Sequence, residues 1–115
     1  MAPAVLRGML RGAALTALFC VLAAPAGAQQ LNRLERRGQV LLTKLCSDCH
    51  AVGITDRSPR PNAPELRSIT KRYDVDDLVA QLREGFTGPH PDMPTFRFTR
   101  QDAEAVQAYL HMIQK

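Results

Sequence analysis

The chain has 115 residues, 15 basic against 11 acidic, a formal charge of +4 at neutral pH and three cysteines. That length and composition fit one small globular domain, and three cysteines make no disulfide scaffold. The basic residues are spread along the chain rather than gathered in a concentrated patch, which excludes a nucleic-acid-binding surface.

Arg7 and Arg11 precede an apolar run from Ala13 to Ala24, and Pro25 leads into Ala26-Gly27-Ala28. A charged start, a short apolar core and an A-x-A exit describe a secretory signal peptide over residues 1–28. The apolar run falls short of the roughly 20 residues that a membrane span needs; an uncleaved anchor is the alternative. Cys20 follows bulky Phe19 where a bacterial lipoprotein signal wants a small residue, which argues against lipid attachment. Removal of the signal leaves residues 29–115, with 13 basic and 11 acidic residues, a charge of +2 and no membrane span. The expected location is outside the cell, or the periplasm of a Gram-negative host.

The mature part reads as one all-α domain. The first helix is predicted over Arg33 to Leu45, with Asn32 as N-cap and Glu35 completing a capping box. Its apolar stripe, Leu34, Gly38, Leu41, Leu42 and Leu45, has helical spacing and runs directly into Cys46-Ser47-Asp48-Cys49-His50. On a helical turn, positions 46, 49 and 50 share one face. C-x-x-C-H is the pattern of covalent haem attachment: two thiols bond the porphyrin edge and His50 reaches the iron. The alternatives are weaker. A zinc site wants four ligands and there is no second cysteine pair; a thioredoxin-like pair wants a βαβ context; a structural disulfide has no need of the adjoining histidine. A domain this small has a thin core, so a bonded haem would also serve as its staple.

Residues 51–63 form a loop containing Arg57 and Arg60, either of which could hold a haem propionate. Arg67, Lys71 and Arg72, further along this stretch, read as solvated surface. Asn62-Ala63-Pro64-Glu65 looks like a second capping box opening a short helix, with Leu66, Ile69 and Tyr73 on its apolar side. Asp74 is placed to cap the next helix, with Val75, Leu78, Val79 and Leu82 inward and Gly85 as its stop. A stiff loop with three prolines covers 86–98. The last helix starts after Thr99 as N-cap and buries Ala103, Val106, Leu110 and Ile113, with Tyr109 beside them.

Met93, in that stiff loop and 43 residues after His50, is the best candidate for the second axial ligand. A Met/His pair raises the reduction potential and closes the iron to oxygen and peroxide. His90 is the rival ligand and would give a bis-histidine centre; simple apolar packing of Met93 is the third possibility. His111 and Met112, in the last helix, read as surface and core.

Over residues 31–114 the chain resembles the small class I monohaem cytochromes c of bacteria. Gly38 and Leu42, eight and four residues before Cys46, match a glycine and a large apolar residue on that family's first helix. Val106 and Tyr109 match their partners on its last helix, which crosses the first closely. Asp92-Met93-Pro94 with Phe96 is similar to its methionine loop, and Pro64-Glu65-Leu66 to its Pro-x-Leu. The resemblance implies a cytochrome c fold of about four helices around one covalently bound haem c. It also implies that the Pro64 carbonyl accepts a hydrogen bond from His50, which orients the ring. Ala63 departs from the family's usual glycine, and the chain lacks tryptophan. The expected role is a single-electron carrier between redox proteins, a donor dehydrogenase or membrane complex and an acceptor oxidase or reductase, rather than an enzyme. A dedicated cytochrome subunit of an oxidoreductase, or a haem-based sensor in which Met93 leaves the iron, are the alternatives.

Overall fold

A computed structural model describes residues 31–115. The proposed signal over 1–28, with Cys20, lies outside the described residues. Three α-helices and one 3₁₀ helix make up the regular structure: α1 at Arg33–Cys46, the 3₁₀ helix at Leu66–Lys71, α2 at Val75–Glu84 and α3 at Arg100–Ile113. Among the described residues there is no strand, only one antiparallel bridge between Phe86 and Phe96.

Each α-helix begins where its capping chemistry predicts. The Asn32 side chain accepts from the Glu35 N–H at 2.9 Å, while the Glu35 carboxylate accepts from the Asn32 N–H at 2.8 Å. Asp74 accepts from the amides of Asp76 and Asp77, and Thr99 from that of Asp102. These side chains satisfy amides that a helix start otherwise leaves without partners. Gly85 ends α2 with φ +107°, a left-handed conformation that glycine adopts without penalty.

The 3₁₀ helix departs from expectation. The Asn62–Glu65 capping box does not form: Glu65 itself is the N-cap, with no side-chain cap, and Pro64 lies before the helix. The reason is competition for the backbone. The Pro64 carbonyl is met by His50, and the Leu66 N–H donates to the Ala51 carbonyl at 3.0 Å, so Glu65 stays extended and the helix starts only at Leu66. Tyr73 falls beyond this helix and packs edge-on against Phe86, with ring centroids 6.2 Å apart.

α3 organises the core. Its inward face, Ala103, Ala105, Val106, Tyr109, Leu110 and Ile113, is buried between α1 and α2. Leu42 reaches it from α1, and Val75, Leu78, Val79 and Leu82 from α2. The α1–α3 crossing is tightest at Gly38, where a Cβ would strike the Ala105 carbonyl and sit 2.9 Å from Tyr109 Cβ. Leu34, one turn earlier on the predicted stripe, is 45% exposed and lies off this contact. The fully buried Tyr109 hydroxyl donates to the Val52 carbonyl at 2.9 Å, fastening the loop after His50 to α3. Burial raises its phenol above the usual pKa, so it stays a donor. At the C-terminus, Gln114 Nε2 donates to the Leu66 carbonyl at 2.9 Å and the Lys115 N–H to that of Arg67, tying α3 to the 3₁₀ helix.

Candidate cofactor site

α1 delivers the cysteine–histidine motif. The helix ends at Cys46, but its carbonyl accepts from the Cys49 N–H at 3.2 Å and the His50 N–H at 2.8 Å. One further turn therefore follows the helix and gathers residues 46, 49 and 50, as the spacing requires. Both thiols are free and partly buried. Burial, and then the neighbouring Cys49, push the Cys46 thiol up to about 11, so in this unbonded state it is protonated at neutral pH.

His50 Nδ1 stands 2.8 Å from the Pro64 carbonyl oxygen. A carbonyl only accepts, so Nδ1 carries the proton and donates. With the proton on Nδ1, it is Nε2 that is left to serve as a metal ligand. Pro64 can offer its carbonyl because it precedes the 3₁₀ helix, which therefore makes no internal use of it.

The intervening loop is held by short polar contacts. The Ala51 N–H donates to Ser58 Oγ at 2.9 Å and the Val52 N–H to Asp56 Oδ2 at 3.1 Å. Arg67, read from sequence as solvated surface, is instead buried, at 9% exposure. Its guanidinium donates to the Asp56 carbonyl at 2.7 Å and the Gly53 carbonyl at 3.3 Å, and pairs with Glu65 and Asp56. A cation is drawn inward because the oxygens of Gly53 and Asp56, 11 to 14 residues away, reach it only once the loop has folded. No sequence pattern signals that convergence.

Met93 sits partly buried in the second loop. At the loop's neck are the Phe86–Phe96 bridge and a 2.9 Å hydrogen bond between the Thr87 and Thr95 hydroxyls. At its tip the Met93 N–H donates to the His90 carbonyl at 3.1 Å, and the Asp92 N–H to His90 Nδ1 at 3.3 Å. One nitrogen of the rival ligand His90 is thus taken up in its own turn. The Met93 thioether passes over Gly88, where any Cβ would run into its sulfur. Arg60 Nη1, from the first loop, meets Asp92 Oδ2 at 3.3 Å.

His111 lies outside this region: its Nε2 is 2.6 Å from Asp76, which joins α3 to α2, and Met112 packs partly buried against the core. Among the described residues no group of three or more His, Cys, Asp or Glu is arranged to hold a bare metal ion. No helix of the described residues is long and apolar enough to cross a membrane. Two free thiols, an imidazole with an open Nε2 and a thioether on a stiff loop are donors that fit an iron porphyrin.

The family model for cytochrome c matches residues 35–114. Cytochrome c-552 of Bradyrhizobium diazoefficiens is 29% identical over 73 residues, 64% of this chain and 68% of that protein. No solved structure matches.

Proposed function

The chain belongs to the cytochrome c family, whose members carry covalently bound haem c and transfer electrons, and on that premise we propose a complete site: Cys46 and Cys49 bond one haem, while His50 and Met93 bind its iron. The haem supplies a one-electron ferric/ferrous couple. The Nδ1–Pro64 hydrogen bond, at 2.8 Å, is the observation that carries this reading. It sets the tautomer and ring orientation, and it increases electron donation from Nε2. The Met93 thioether, a soft ligand, favours the ferrous state and raises the potential relative to nitrogen ligation on both sides.

The protein so assembled is an exported single-electron carrier that meets redox partners through small, transient contacts. The charged, apolar and A-x-A segments of residues 1–28 support export. The test is spectroscopic. The oxidised holoprotein should show the weak far-red band of thioether-to-ferric-iron charge transfer, and Met93→Ala should abolish it. A band that survives that substitution overturns the axial assignment.

A further inference from the structure

We propose that the Arg60–Asp92 ion pair is a clasp that holds the Met93 loop to the loop following His50, and thereby limits how readily another ligand displaces Met93. The proposal rests on Met93 being the axial ligand. Arg60 is anchored by its main chain on the first loop: its N–H donates to the Cys49 carbonyl at 3.2 Å, and its carbonyl accepts from the Ala63 N–H at 3.1 Å. Its side chain then crosses to Asp92, 32 residues further along and adjacent to Met93. Asp92 is itself fixed in the His90–Met93 turn, so movement of its carboxylate carries the Met93 backbone with it.

No other hydrogen bond or ion pair among the described residues joins segment 47–65 to segment 86–98. The bridge and the threonine pair close only the neck of the second loop. The tip that carries Met93 is tied across by Asp92 alone. Magnitude decides what such a tie can do. With side chains 52% and 65% exposed, the pair is screened by water and salt, and an exposed pair shifts an equilibrium by at most about five-fold. That is too little to hold the fold together. It is enough to shift the open fraction of the loop several-fold.

Displacement of Met93 requires that opening, so a competing ligand binds with an affinity proportional to the open fraction. The probe is imidazole, whose neutral form is insensitive to the protein's net charge. It is titrated into the oxidised holoprotein at low and high salt. Arg60→Gln and Asp92→Asn should each tighten imidazole binding by about two- to five-fold at low salt, with the folding equilibrium weakened by no more than that same factor. The double variant should match the single variants, because one interaction is lost in all three. High salt should bring the native protein toward the variants. Unchanged imidazole affinity in the single variants, or effects that add in the double variant, overturn the clasp while the far-red band persists. A native protein without that band overturns the Met93 assignment, and the clasp with it.

Discussion

Gly38→Ala tests whether the α1–α3 crossing dictates the fold. A Cβ at residue 38 would lie 2.6 Å from the Ala105 carbonyl carbon, nearer still to its oxygen, and 2.9 Å from Tyr109 Cβ. Ordinary contact begins near 3.4 Å, so the helices must part by more than 1 Å. The obstacle is backbone, which cannot turn aside as a side chain does. Overpacking of this kind costs roughly 1–3 kcal/mol. The same displacement stretches the 2.9 Å Tyr109–Val52 hydrogen bond beyond reach and strands a buried hydroxyl, for roughly 1–3 kcal/mol more. Alanine returns about 1 kcal/mol in helix propensity. The net loss is about 3 kcal/mol, a large share of the roughly 5–15 kcal/mol that holds a domain together. Guanidinium unfolding of the holoprotein should show a midpoint lower by about 1 M. Covalent haem yield should fall as well, because Val52 lies just beyond the attachment motif. An unfolding midpoint equal to that of the native protein would refute the steric reasoning.

Two further perturbations address the polar contacts. Arg67→Met removes the donor to the Gly53 and Asp56 carbonyls and leaves Glu65 without its partner. It should cost about 1–3 kcal/mol in denaturant unfolding, with the lower part favoured because Glu65 and Asp56 are partly solvated; a variant as stable as the native protein removes Arg67 from the loop's support. Acid should loosen the helix packing through Asp76 and Asp102. Hydrogen bonds from Gln107 and then His111 hold the Asp76 carboxyl below its usual 3.8, and those from Arg37 and then Thr99 do the same for Asp102. A depressed folded-state pKa gives stability that is complete above the unfolded value and lost as pH falls through the folded one. Unfolding midpoints should therefore decline below about pH 4, and Asp76→Asn or Asp102→Asn should flatten that decline. An acid limb of the same slope in both variants would show that these contacts do not couple to folding.

The caps at Asn32, Asp74 and Thr99 and the stop at Gly85 were legible because each joins residues a few positions apart, where chain geometry alone sets the meeting. So was the gathering of Cys46, Cys49 and His50, which needs only one turn of backbone. The capping box predicted at Asn62–Glu65 has the same local signature, yet it failed. Its backbone found partners in His50 and Ala51, 14 and 15 residues away, and a local preference of about 1 kcal/mol yields to such contacts.

What the sequence determined by itself, then, was the all-α class, the starts of the three α-helices and the backbone turn that follows Cys46, with Met93 only as a candidate ligand. All follow from spacing and covalent chemistry. Only the tertiary structure decided that Arg67 goes inward, that Leu34 stays outside the α1–α3 contact, and that Arg60 meets Asp92 across two loops. Those outcomes depend on which groups, remote along the chain, come within a few ångströms once α3 has packed between α1 and α2. A charged side chain carries no mark of whether it will meet water or a partner until that packing has placed the partner.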